Sequence, residues 1–158
     1  MKSNFLFPHH FKRIGWVLFI LGVIVGVFYI AKESDLEFLD VTVFSIAEQS
    51  LMGDTSYFSF LKNNIHDEIT CLLLIIGAML IVFSKEKSED EFISKIRLES
   101  LAWATYVNYS ILIISILFIY EMTFFMILLF NMFTVLIFFI IRFNWALSKT
   151  KKQLRDEE

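Results

Sequence analysis

His66-Asp67-Glu68 is the densest group of potential ligands in this chain. A histidine beside two carboxylates could hold a hard cation or handle a proton. The same acids also suit the first turn of a helix, where the macrodipole favours negative charge. Asn63 or Asn64, just before them, could cap that helix. The capping reading is the simpler one. His9-His10 offers two more ring nitrogens, but with no cysteine or further histidine nearby the pair reads as interfacial polar side chains. Cys71 is the only cysteine, which excludes an internal disulfide and the cysteine pair that four-helix thiol or quinone oxidoreductases need. The chain has no Gly-rich phosphate loop, no His-Glu-x-x-His, and no serine or cysteine with an evident base. No catalytic residue, cofactor or metal ligand is therefore assigned, and the chain is expected not to be an enzyme. Its basic residues are spread out rather than gathered in one module, so nucleic acid is not an expected partner.

Two amides define the other polar feature. Asn108 and Asn131 lie within long apolar runs on either side of Glu121. A turn at 120–122 would make the flanking runs an antiparallel hairpin. Counted from that turn, the two amides differ in depth by only about 5 Å at 1.5 Å per residue. Polar side chains at such depth usually bond across helices, so an Asn108–Asn131 contact is expected. Thr105, Tyr109, Ser110 and Ser115 add further polar groups to the same run, which leaves a polar path for a solute as the functional alternative.

The elements that carry these residues are apolar runs at 14–31, 69–84, 101–120 and 122–141, in a chain that is 57% hydrophobic. Crossing a bilayer takes about 20 helical residues, so the second run is short and borrows flanking residues or thins the bilayer. The runs are continuous rather than alternating and too long for barrel strands. No small-x-small cleavage site follows Ala31, so the first run reads as a retained anchor rather than a signal peptide.

Twelve of the fourteen Lys and Arg residues fall in alternate segments: 1–13, 85–100 and 142–158. Lys and Arg are retained on the cytoplasmic side during insertion. Trp16, Trp103 and Trp145 fall at the same ends of their runs, as an interfacial belt would. The expected fold is an all-α polytopic membrane protein with four transmembrane helices, both termini cytoplasmic, and a third span that continues a cytoplasmic helix. The expected location is the cytoplasmic (inner) membrane.

Three surfaces follow from spacing. Gly15, Gly22 and Gly26 share one face of the first helix, and Gly22-x-x-x-Gly26 lets another helix approach closely. That helix could belong to this chain or to another subunit. In the cytoplasmic segment, Ser88-Glu89-Asp90-Glu91 reads as a capping box. Phe92, Ile93, Ile96 and Ser100 form a stripe that should lie against the C-terminal helix or a partner. Arg97 has no acid one turn away and suits a lipid phosphate or an inter-helix ion pair. In the outer segment 32–68, residues 39–46 could form a short strand, or Ser34-x-x-Glu37 could open a helix. Gly53-Asp54-Thr55-Ser56 reads as a turn. Tyr57, Phe58, Phe60 and Leu61 suggest an amphipathic interfacial segment.

Asn63-Asn64-Ile65-x-Asp67-Glu68-Ile69, Lys85-Glu86-Lys87-x-Glu89-Asp90-Glu91-Phe92-Ile93-x-Lys95-Ile96-Arg97-Leu98-Glu99-Ser100, Tyr106-Val107-Asn108-Tyr109 and Asn131-Met132-Phe133 resemble a group of four-span bacterial inner-membrane proteins with no assigned activity. The group is often associated with small helix-turn-helix regulators, so the resemblance implies a sensing or regulatory context. The function expected is that of a regulatory, sensory or assembly subunit working through protein contacts, at the cytoplasmic helix or the first span, in the lipid bilayer. The alternative is a homo-oligomeric channel or transporter for a small neutral or hydrophobic solute.

Overall fold

A computed structural model describes residues 5–32, 39–49, 55–87 and 90–156. In chain order the elements are α1 (His10–Lys32), β1 (Asp40–Gln49), β2 (Thr55–Asn64), α2 (His66–Val82), α3 (Glu91–Phe118) and α4 (Glu121–Asp156). α1, α3 and α4 are long and apolar enough to cross a membrane. α2 has 17 residues, about 26 Å at 1.5 Å per residue. It starts at His66 rather than at 69, so the His66-Asp67-Glu68 triplet is its first turn.

The expectation of an all-α chain is corrected by the hairpin of β1 and β2, which are antiparallel. Val41, Thr42, Val43, Phe44 and Ile46 are β-branched or aromatic, types that fit a pleated surface better than a helix. Tyr57, Phe58 and Phe60 supply the matching strand, so the segment read as amphipathic at 57–61 is extended. Its register is uniform, from Asp40 opposite Asn64 to Gln49 opposite Thr55, apart from Ile46 opposite Phe58. Phe58 takes φ 53 there, a left-handed conformation costly for a bulky residue. Ser34, Glu37, Gly53 and Asp54 lie outside the described residues.

α3 is one uninterrupted helix of 28 residues, so the third apolar run does continue a polar helical segment. The capping box read at Ser88 is corrected. Asp90 is the N-cap, and its side chain accepts a 2.8 Å hydrogen bond from the Ile93 amide. Ser88 and Glu89 lie outside the described residues. α3 ends in a very tight turn. The Ile119 amide bonds to Ser115 O at 2.9 Å, and Glu121 opens α4 with φ 59. α4 then runs 36 residues, so the tail after 141 prolongs the helix.

α1 packs on α2 and α3 on α4, and a contact between α2 and α4 joins the two hairpins. The buried core holds Ala78, Ile81 and Val82 of α2, Ile96 and Ala104 of α3, and Phe139, Ile140, Phe143 and Leu147 of α4. It lies at the end of the bundle that also carries residues 83–87. Most large apolar side chains of α1, α3 and α4 face outward, as expected where lipid or neighbouring helices replace water.

Candidate functional site

The densest polar structure is at the core end of the bundle. The N-terminal lead pairs with the chain leaving α2. The Phe7 amide donates to Phe83 O at 2.8 Å, and the Lys85 amide donates to Phe7 O at 2.9 Å. His9 Nδ1 lies 3.0 Å from Lys85 O; the acceptor is a carbonyl, so Nδ1 carries the proton. Lys12 forms an ion pair with Glu86, and both side chains are nearly buried.

Arg97 closes this knot. Its Nη1 donates to Val82 O at 2.7 Å and its Nη2 to Ser84 O at 3.2 Å. Its guanidinium lies 4.7 Å from the Phe143 ring centroid. α2 has no basic residue in its own last turn, and Arg97 brings that charge from α3 to the carbonyls the helix end leaves open. These bonds give Arg97 a role that the sequence reading did not name, that of a donor to main-chain carbonyls. The knot spends its charges on the backbone and on each other, and its chemistry is that of a clamp.

The glycine face meets α2 of the same chain. A Cβ at Gly15 would stand 2.9 Å from Gly77 O, one at Gly22 would stand 3.1 Å from Leu73 Cβ, and one at Gly26 would stand 3.2 Å from Thr70 Cγ2. Gly77, which spacing alone did not single out, is the tightest point of the contact. A Cβ there would lie 2.6 Å from the Phe19 amide nitrogen.

At the opposite end of α2, the triplet is engaged by its neighbours. The His66 amide donates to Asn64 Oδ1 at 3.1 Å, and Asn63 Nδ2 donates to Glu68 Oε1 at 2.7 Å. Asn64 Nδ2 also reaches Asp40 Oδ1 at 2.9 Å, tying α2 to β1. The His66 ring is buried, whereas Asp67 and Glu68 are exposed. Among the described residues no three His, Cys, Asp or Glu side chains form a group suited to a metal. The N-cap of α2 is Ile65, without a side-chain cap bond, so neither Asn63 nor Asn64 caps the helix. Asn64 Oδ1 instead takes the amide two residues ahead, as an Asx turn does.

Asn131 Nδ2 donates to Asn108 Oδ1 at 3.1 Å, and Asn108 Nδ2 lies 3.5 Å from Asn131 Oδ1. The contact expected from the depth count is present. Three of the four other polar groups read in this run turn back on their own helix: Thr105, Ser110 and Ser115 hydroxyls donate to the carbonyls of Leu101, Tyr106 and Ile111, while Tyr109 is exposed. Ser100, Ala104, Asn108 and Ser115 are buried and form a stripe of small residues against α4. Asn108→Leu alone is expected to destabilise by about 1–2 kcal/mol, because Asn131 is left without its partner in a low-dielectric setting. The Asn108→Leu/Asn131→Leu pair should recover most of that loss. Denaturant titration in mild detergent measures both, and a double variant as unstable as the sum of the singles would contradict the pairing.

Compared with protein-family models, curated proteins and solved structures, the chain has no match. What it can do must be read from its own surfaces.

The stripe on α3 divides. Ile96 and Ser100 are buried and Ile93 packs against the core, so this part lies on α4. Phe92 stays 53% exposed and Leu98 69% exposed. Leu98 borders an open recess of about 460 Å³ with Glu91, Ser94, Lys95, Arg97 and Leu101. The hairpin carries a second exposed apolar face, where Phe44 meets Phe60 at 5.4 Å between centroids and Phe58 at 6.3 Å.

Proposed function

We propose that this chain is a non-enzymatic membrane subunit that acts through protein contacts, in a regulatory, sensory or assembly role. One observation carries this reading: the first turns of α3 are tied down by Asp90, Ile96 and Arg97, yet present Phe92 and Leu98 outward. Holding exposed apolar side chains on a clamped helix suits recognition by another protein. The resemblance to proteins found beside small helix-turn-helix regulators fits the same role. The solute-path alternative drew on a polar face of α3, and it is weakened by amides that bond each other and hydroxyls that bond their own helix.

In this reading α2 is a fourth span. Its short length is offset by the tight glycine contact with α1, and the charged end of the bundle faces the cytoplasm of a bacterial cell. The end that holds Lys12, Lys85, Arg97 and Arg142 then obeys the retention of basic residues on that side.

The test is purification of full-length protein at native expression into lipid nanodiscs, followed by mass spectrometry. A stoichiometric protein partner is expected, and Leu98→Glu should remove it while leaving the elution volume and melting curve of the chain unchanged. A partner retained by both Leu98→Glu and Phe92→Glu would sink the assignment to this helix. Reporter fusions at 53 should read as outside and at 87 as inside; the reverse would overturn the orientation.

A further inference from the structure

Arg142 stands between two indoles where α4 leaves its apolar run. Its guanidinium carbon is 5.8 Å from the Trp103 centroid on α3 and 5.2 Å from that of Trp145. Lys149 Nζ is 5.8 Å from the same Trp145 ring. Trp103, Ile141, Arg142 and Trp145 line an open recess of about 320 Å³.

This cation differs from the two cations of the clamp. Arg97 is bonded to carbonyls and Lys12 to Glu86. Arg142 Nε is buried and has no hydrogen-bond partner in the protein. Among the described residues no carboxylate forms a salt bridge with Arg142. Aromatic faces orient a guanidinium and shed its water without using its N–H donors. The planar fork therefore remains available for a group with two acceptor oxygens, which is the geometry of a phosphodiester.

Depth and lining choose between sources of phosphate. Arg142 directly follows the apolar run 122–141, with tryptophans at the same level, where an interface would lie. Ile141 is 58% exposed and Ile137, one turn toward the span centre, is 38% exposed. They form an apolar track leading out of the recess, which a soluble anion would not use. Lys149 adds a second cation, and the recess lining has no acid to receive a headgroup ammonium.

We propose that this recess binds the phosphodiester of an anionic phospholipid, with Arg142 as the phosphate ligand, Trp103 and Trp145 as its walls, and an acyl chain along Ile141 and Ile137. The site rests on reading α4 as a membrane span.

The probe is tryptophan quenching in the full chain carrying Trp16→Phe, which leaves Trp103 and Trp145 as reporters. Nanodiscs of phosphatidylcholine would contain an equal minor fraction of either acyl-brominated phosphatidylglycerol or acyl-brominated phosphatidylcholine. Quenching by the brominated phosphatidylglycerol is expected to be several-fold stronger. Arg142→Gln should reduce it to the phosphatidylcholine level, while Arg13→Gln, an exposed cation on α1, should leave it unchanged. Equal quenching by the two lipids in the unmutated site overturns the proposal, whatever the variants do. Loss of the preference in inorganic phosphate, but not in chloride of equal ionic strength, would give the site to a soluble anion and overturn the lipid assignment. Failure of the protein to enter nanodiscs at all would instead overturn the membrane reading beneath it.

Discussion

Gly77→Leu is expected to separate α1 from α2 and to cost about 3 kcal/mol or more. Overpacking a close interface typically costs about 1–3 kcal/mol and exceeds that where nothing can yield. Here the obstacle is backbone. A Cβ at Gly77 meets the Phe19 nitrogen at 2.6 Å and the Phe19 Cα at 2.9 Å. Neither atom can rotate away as the end of a side chain would. α1 must withdraw until contacts approach ~3.5–4.0 Å, and dispersion along the whole seam weakens with the gap.

The glycines should rank by what their Cβ meets. Gly15→Ala meets Gly77 O and Ile81 N at 2.9 Å, both backbone, and should also destabilise. Gly26→Ala meets only Thr70 Cγ2 at 3.2 Å. The gain in helix propensity, about 1 kcal/mol for alanine over glycine, should there balance or exceed the crowding. Unfolding in mild detergent reads the series, with elution volume recorded in parallel. A neutral Gly77→Leu would refute the close contact. If Gly77→Leu left the unfolding of the single chain unchanged and altered only the oligomeric state, the glycine face would belong between subunits.

What the sequence made legible depended on whether a contact leaves a pattern in residue types. Gly15, Gly22 and Gly26 repeat at helical spacing, so their shared face was visible, although not which helix it met. Gly77 has no periodic companion within α2, and a single glycine in an apolar run carries no such signal. Asn108 and Asn131 could be matched because the turn between α3 and α4 is almost without residues, which turns chain distance into depth. The pairing of Lys12 with Glu86 spans 74 residues and needs the topology first. The hairpin was half visible: the 39–46 run had strand character, but aromatic residues near a membrane suit an interfacial segment equally well. The Arg142 recess was read only as the close of a span, since it needs Trp103 from another helix to complete it.

Arg97→Ala is expected to cost about 3–5 kcal/mol, because a charged donor contributes about 1.5–3 kcal/mol per hydrogen bond and its loss strands the acceptors. Two carbonyls depend on it, Val82 O and Ser84 O, and Ser84 is fully buried. The contact with Phe143 adds about 0.5–2 kcal/mol, since the ring is desolvated. These contributions share one side chain and will not add fully. The type of contact explains why Arg97 looked ambiguous from sequence: its partners are main-chain oxygens, which any residue supplies. It also yields a sharper variant. Arg97→Lys keeps the charge at the end of α2 but replaces a planar fork with a point donor, so it can serve one carbonyl well and not both. It should recover less than half of the loss. Thermal unfolding in detergent gives the stabilities, and hydrogen exchange at the amides of Phe83 and Lys85 should quicken in Arg97→Ala before the rest of the bundle opens. If Arg97→Lys matched the parent in both, charge alone would account for the clamp. If Arg97→Ala did so too, the bonds to Val82 and Ser84 would be incidental. The surface of α3 proposed for partner contact would then lose the anchor that holds it in place.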